Sequence, residues 1–229
     1  MDKSLQNVIK HDQFVETVGQ ASEYASGHKK QLAIYIGAAV ALAVIGYGIW
    51  SYMGAQRAER QLALGEAMGI AQATTSRTVT EEKKVIDAFA KVSSKYAGSK
   101  EGDIALYMLA MLDIERGDSS AGEKKLKDVL AGDKEPASLA KFTMSEILQG
   151  QGKNAEAEAL LRELVASPTY MMPVEQSTLQ LARLIAKTKP DEARKLLEPL
   201  RTARAPISTP ALEILGTLPA APITAAPKK

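Results

Sequence analysis

The sequence predicts an all-α protein in which one N-terminal transmembrane helix is followed by an α-solenoid, a stack of antiparallel helix pairs. Three observations support this prediction. A long uncharged apolar run lies near the N-terminus, alanine, leucine, glutamate and lysine dominate the remainder, and a stripe of apolar residues recurs at a regular interval. The first favours a membrane helix, the second favours helices over strands, and the third indicates a repeat.

The apolar run lies between Lys30 and Arg57, which enclose 26 residues without a formal charge. About 20 helical residues are enough to cross a hydrocarbon core of about 30 Å. Tyr35 lies toward one end of the run and Trp50 toward the other, as is typical of aromatic side chains at the two membrane interfaces. We therefore predict a transmembrane helix over residues 31–53.

Two other structures would also produce an apolar run near the N-terminus. A cleaved signal peptide has an apolar region of about 7–15 residues, which this run exceeds, and Met53 stands where a small residue is needed before Ala55. A buried core helix rarely runs this long without a polar face, and this run has none. The transmembrane helix is the interpretation that the length and the flanking charges favour.

The residues in and around the run give weak evidence on the orientation of the helix in the membrane and on its association with other helices. Two lysines precede it and two arginines follow it, so the positive-inside rule only slightly favours a cytoplasmic N-terminus. Upstream, the apolar stripe of residues 10–26 suits either an amphipathic helix at the membrane surface or a partly ordered tail. Small residues spaced by four, Gly37 with Ala41 and Ala39 with Ala43, would allow a weak homo-oligomer through the membrane helix.

Beyond the membrane segment, one template recurs four times: a small or apolar residue followed by apolar residues at +4 and +7. The copies begin at Val85, Gly122, Ala157 and Ala193, which are 37, 35 and 36 residues apart. This spacing places the apolar residues of each copy on one face of a helix. Each copy is therefore predicted to be an amphipathic helix that packs on a partner helix.

A partner helix precedes each of the last three copies. Two of the connecting turns contain a glycine, Gly117 and Gly152. A helix commonly ends at a residue in the left-handed conformation, which glycine adopts without strain, so these glycines are predicted to end their helices. Asp118 and Asn154 follow and are placed to cap the next helix. The apolar or small residues of the partner helices are Leu106, Leu109, Ala110, Met144, Ser145, Leu148, Leu181, Ala182 and Ile185.

Helix pairs at a period near 34 residues resemble tetratricopeptide repeats, and a generic helical bundle is the alternative. The resemblance predicts a repeat domain over residues 55–218, beginning with a helix over 55–73 that continues out of the membrane. Thr80 is predicted to open the next helix, and Thr209 with Pro210 a final helix that caps the last pair. Residues 1–30 form an N-terminal tail, and residues 219–229, rich in proline and alanine, are predicted to be disordered.

The predicted repeat domain lacks the residue types that most catalytic and metal sites require. The chain has no cysteine, and its two histidines, His11 and His28, precede the apolar run. Zinc-type metal sites and catalysis by histidine are therefore excluded from this domain. No glycine-rich phosphate-binding motif is present, and a net charge of +2 gives no basis for nucleic-acid binding. We predict no enzyme activity, no cofactor, no metal and no nucleic-acid partner.

Protein binding is the function that remains. The first helices of stacked pairs line the concave side of a solenoid, where methionine and aromatic side chains suit varied apolar segments. The same side chains would otherwise pack between neighbouring helices. The candidates for a peptide-binding groove are Ile104, Tyr107, Met111, Phe142, Leu179 and Arg183.

A short charged tail, one membrane helix and a series of helix pairs are together similar to the YfgM-like family, an ancillary subunit of the bacterial SecYEG translocon. The matching runs are KHDQFVETV at residues 10–18, HKK at 28–30 and FAKVSSKYAGSKEGDIALYMLAML at 89–112. The resemblance implies a single-pass protein of the bacterial inner membrane, with a cytoplasmic N-terminus and a periplasmic repeat domain.

The same resemblance implies partners and a function. The partners would be translocon subunits, periplasmic chaperones or exported client chains, besides the lipid bilayer around the anchor, and the protein would be an adaptor that assists exported proteins. The run at residues 89–112 is also similar to the repeats of periplasmic cell-envelope adaptors. A periplasmic scaffold for envelope assembly or division therefore remains the alternative.

Overall fold

The computed structural model describes residues 29–73 and 78–219, and all regular secondary structure within these ranges is helical, which confirms the predicted all-α fold class. The predicted amphipathic stripe at residues 10–26 and all but the first residue of the predicted tail at 219–229 lie outside the described residues. The helices are α1 (Lys29–Ala73), α2 (Val79–Lys95), α3 (Lys100–Glu115), α4 (Ser119–Leu130), α5 (Lys134–Gly150), α6 (Asn154–Ala166), α7 (Val174–Ile185), α8 (Pro190–Leu197), a 3-10 helix (Glu198–Thr202) and α9 (Ala205–Thr217).

The chain divides into two compact units, residues 1–58 and residues 59–229. In the first unit, α1 exposes its large apolar side chains, of which Trp50 is 71% exposed. The ring of Trp50 lies 6.0 Å from that of Tyr47, centroid to centroid. Residues 33–73 of α1 include a stretch that is long and apolar enough to cross a membrane, by length and composition, and no residue of that stretch is buried. Exposed apolar surface of this extent marks a site of contact with a membrane or with another protein.

In the second unit, helices that follow each other in the chain pack as pairs: α3 with α4, α5 with α6, and α7 with α8. The C-terminal part of α1 forms a further pair with α2, because Ala67 is buried in one cluster with Val85 and Phe89. Residues 55–73 are helical, as predicted, and the start of the repeat domain at residue 55 stays a prediction. The first helices of neighbouring pairs, α3 and α5, also contact each other, as stacked pairs require.

The recurring template marks the buried face of each second helix. All of its positions that begin a copy or follow at +4 and +7 are buried, so the predicted faces are confirmed. Leucines at +4 are completely shielded from solvent and fill the space between the helices of a pair. The buried template residues are Val85, Phe89, Val92, Gly122, Leu126, Val129, Ala157, Leu161, Leu164, Ala193, Leu197 and Leu200.

The predicted left-handed glycines are confirmed, since Gly117 has φ 88° and Gly152 has φ 77°. Asp118 caps α4 as predicted, accepting a hydrogen bond from the N–H of Ala121 at 3.0 Å. The prediction for Asn154 was wrong, because Lys153 is the N-cap of α6 and Asn154 is its first residue. In both turns the cap directly follows the glycine, so the asparagine stands one residue too late to cap.

The first residues of two helices also differ from the prediction. Thr78, not Thr80, caps α2: its Oγ1 accepts the backbone N–H of Glu81 at 3.4 Å, and its hydroxyl donates to the carboxylate of Glu81 at 3.0 Å. The last helix begins at Ala205 rather than at Thr209, because Pro206 fits the first turn, where its missing N–H leaves no bond unmade. This helix covers the last pair as predicted, with Ala211 completely buried in the last cluster.

A carboxylate near the start of one first helix holds the loop that leads into the next. Asp103 of α3 is buried and accepts the backbone N–H of Asp133, the N-cap of α5, at 2.7 Å. Glu135 of α5 accepts the backbone N–H of Met171, which lies just before α7, at 2.9 Å. Each bond joins two neighbouring pairs, so these carboxylates set the stacking of one pair on the next.

We expect Glu135→Gln to make the free energy of unfolding less dependent on pH in the acidic range. The backbone N–H of Met171 lowers the pKa of Glu135, and burial only partly opposes this effect. Because the pKa is lower in the folded state, the stabilisation is present above the unfolded-state pKa of about 4.3 and is lost as pH falls through the folded value. Urea unfolding of the full chain in detergent at pH 7, 5, 4 and 3 should show a shallower decline for Glu135→Gln than for the wild type.

The matched control is Glu213→Gln, because Glu213 is exposed on the last helix. It should retain the wild-type decline between pH 5 and pH 3. Equal pH profiles for Glu135→Gln and Glu213→Gln would show that the hydrogen bond between Glu135 and the N–H of Met171 contributes nothing measurable to the free energy of unfolding.

Candidate functional site

The six candidate groove residues lie on the first helices of three consecutive pairs. These helices differ in how much side chain they leave accessible, and the differences separate residues that pack from residues that can meet a partner. Ile104, Tyr107 and Met111 lie on α3, Phe142 lies on α5, and Leu179 and Arg183 lie on α7.

Leu179 and Phe142 take part in core packing. Leu179 is only 7% exposed and belongs to the cluster that joins α6, α7, α8 and α9. Phe142 is half-buried and packs against the same cluster. Both side chains therefore stabilise the stacking of the last pairs, and whether they also contact a partner stays a prediction.

The residues on α3 are half-buried. Tyr107 packs against the middle cluster of the domain, which includes Ala110 and Leu126. Its hydroxyl lies 3.0 Å from Oγ1 of Thr143, a buried residue of α5. This hydrogen bond links two neighbouring first helices and holds the tyrosine ring in one orientation. Ile104 and Met111 lie one turn to either side of Tyr107 on the same helix, so the three half-buried side chains form one strip.

Two charged side chains on neighbouring helices add polarity to this part of the surface. Arg183 of α7 is exposed, and its Nη1 donates to Oε1 of Gln180 at 3.4 Å. Glu146 lies one turn after Phe142 on α5, and burial of its carboxyl raises its pKa, while the charge of Arg183 opposes the shift. The side chain of Glu146 nonetheless keeps contact with solvent. A segment bound to this surface would therefore lie near both the carboxyl group of Glu146 and the guanidinium group of Arg183.

Glu146 was not among the candidates from the sequence. Its spacing of four residues from Phe142 was the available signal, since residues four apart lie on one helix face. Tyr170 was also missed, although it is 90% exposed in the connection between α6 and α7. No periodicity marks a residue in such a connection. Within the described parts of the chain, no group of three or more His, Cys, Asp or Glu side chains could hold a metal ion.

The two α7 candidates should separate binding from packing. Leu179→Ala removes a core side chain and is expected to lower the unfolding free energy by about 2–5 kcal/mol. Arg183→Ala removes an exposed side chain and should change it by no more than about 0.5 kcal/mol. Urea unfolding of the full chain in detergent measures both. A cost of less than about 1 kcal/mol for Leu179→Ala would contradict a packing role for Leu179.

Comparison with known proteins identifies the kind of domain. A family model described as a tetratricopeptide repeat-like domain matches residues 28–195. Two solved structures of the Podosopora anserina putative kinesin light chain nearly identical TPR-like repeats, one of them a single-substitution variant, are each 18% identical, cover 69% of this chain and 82% of theirs, and have a TM-score of 0.46. No curated protein is significantly similar to the chain. Repeat folds of this kind are typically non-catalytic scaffolds for protein interactions. The chain belongs to the tetratricopeptide repeat-like domain family.

Proposed function

We propose that the protein is a membrane-anchored adaptor that binds segments of other proteins through the first helices of its repeat domain. One observation carries the proposal. The single helix α1 contains both the exposed apolar stretch and, at Ala67, the buried start of the first repeat pair. A protein-binding repeat that continues a membrane helix holds whatever it binds near a bilayer, which raises the effective concentration of that partner there.

The strip on α3 is the part of the domain that best suits such binding. Ile104, Tyr107 and Met111 are neither buried nor fully exposed, so a partner can cover them without unfolding the domain. Methionine adapts its shape to irregular apolar surfaces, whereas the hydrogen-bonded Tyr107 presents a fixed one. Arg183 and Glu146 on the neighbouring helices would select among partners by charge.

We also propose the location that the resemblance to the YfgM-like family implies: the bacterial inner membrane, with a cytoplasmic N-terminal tail and a periplasmic repeat domain. The partners would be translocon subunits, periplasmic chaperones or exported client chains. The runs at residues 10–18, 28–30 and 89–112 support this assignment. A scaffold for envelope assembly or division would use the same anchor and the same strip, and differs only in its partners.

The partner class is tested by a photo-crosslinking amino acid in place of Met111, with the same amino acid at the exposed Glu213 of α9 as the control. Irradiation of intact cells, followed by mass spectrometry, should capture translocon subunits or unfolded exported chains from position 111 and not from position 213. Capture of envelope-assembly or division proteins alone would replace the export function by the scaffold function. Equal capture at both positions would contradict binding through the strip on α3.

The orientation is tested by fusing alkaline phosphatase, which is active only outside the cytoplasm, to the C-terminus of the full chain. We expect an active C-terminal fusion and an inactive N-terminal fusion, because a single membrane helix places its two ends on opposite sides. An inactive C-terminal fusion, present at the same level in the membrane, would place the repeat domain in the cytoplasm.

A further inference from the structure

The first helix pair of the repeat domain carries an open groove between α1 and α2. Its volume is 330 Å³, and the residues that line it belong to these two helices, except for Tyr96, the C-cap of α2. Leu62 of α1 lines the groove and is 65% exposed, which is unusual for a leucine at a helix–helix junction. The last pair, in contrast, is covered by α9, whose Ala211 is completely buried. The end pairs of stacked repeats generally need a cover for their apolar faces.

Two exposed glycines lie beside Leu62 on α1, at the outer edge of the groove rather than in its lining. Gly65 and Gly69 follow at +3 and +7, on one face of the helix. A Cβ added at either position would meet nothing within 4 Å, so packing among the described residues does not require glycine there. Each glycine costs a helix interior about 1 kcal/mol relative to alanine. Its benefit would be a smooth surface that another helix can approach closely.

The two sides of the groove carry opposite charges. Glu59 and Glu66 lie on the α1 side, and Lys91 and Lys95 lie on the α2 side. Glu59 accepts from Lys95 Nζ at 2.8 Å and from the Tyr96 hydroxyl at 3.0 Å, so these residues pair across one end of the groove. Glu66 and Lys91 are exposed, and neither has an ion-pair partner within the part of the chain that the structure describes.

We propose that this face binds a second copy of the same chain. A two-fold axis that runs along the groove brings the acidic side of one copy against the basic side of the other. The rotation does not shift either copy along the groove. Glu66 of each copy then faces Lys91 of the second copy, and the Leu62 side chains meet near the axis. The surface is thus complementary to itself in charge. This interface is independent of the strip on α3 and of the proposed function.

The first test introduces one thiol at a time into the full chain, which has no cysteine of its own. In membrane vesicles under mild oxidation, Leu62→Cys should form a disulfide-linked homodimer. The control is Leu212→Cys, because Leu212 is also an exposed leucine, at 48%, but lies on the capping helix α9. A dimer yield no higher for Leu62→Cys than for Leu212→Cys, or crosslinking of Leu62→Cys to a different protein, overturns the proposal.

The second test reverses the charges and keeps the fold. Glu66→Lys and Lys91→Glu, each combined with Leu62→Cys, oppose like charges at two symmetric places and should lower the initial rate of disulfide formation about three- to tenfold. The combination of both reversals restores opposite charges and should restore the rate. A merely structural role of either residue would not produce this recovery. If the double reversal stays as slow as the single ones, the two-fold interface is wrong.

Discussion

The stability of the repeat domain depends on how closely the two helices of each pair approach each other. In the pair of α3 and α4, a Cβ at Gly122 would lie 2.9 Å from the carbonyl oxygen of Ala110 and 2.5 Å from Cγ1 of Ile114. No larger residue fits there unless the helices move apart. Ala157 and Ala193 occupy the same template position in the next two pairs, and both are completely buried. Only at this short separation can the leucines at +4 fill the space between the helices.

This constraint explains why the second helices were predicted well from the sequence. A small residue followed by apolar residues at +4 and +7 is a local pattern, and each second helix buries one face only. The first helices α3 and α5 are different, because each contacts its own partner and they also contact each other. Their buried residues occupy more than one face, so periodicity does not separate packing from binding. Leu179 and Arg183 are four residues apart on α7, yet one is buried and the other exposed.

The error at the start of α6 has a local cause. The prediction chose a polar residue near the first apolar position, whereas the structure places the cap directly after the left-handed glycine of the turn. Ser99 follows Gly98 and caps α3, just as Asp118 follows Gly117, and Lys153 holds the equivalent place after Gly152. Bonds between distant residues were beyond any local pattern. The carboxylate of Asp103 and the N–H of Asp133 are 30 residues apart in the chain and meet only when the pairs stack.

The two ends of the repeat array have different capacities for further association. At the C-terminal end, α9 fills the position where another pair would stack, and its Ala211 and Ile214 join the core beneath it. At the N-terminal end, α1 is itself the first helix of the array, and it exposes Leu62, which is not covered by any described part of the chain. Covering exposed apolar side chains such as Leu62 gains free energy. The helix α9 therefore blocks growth of the array at one end, whereas the other end is free for the proposed association with a second copy.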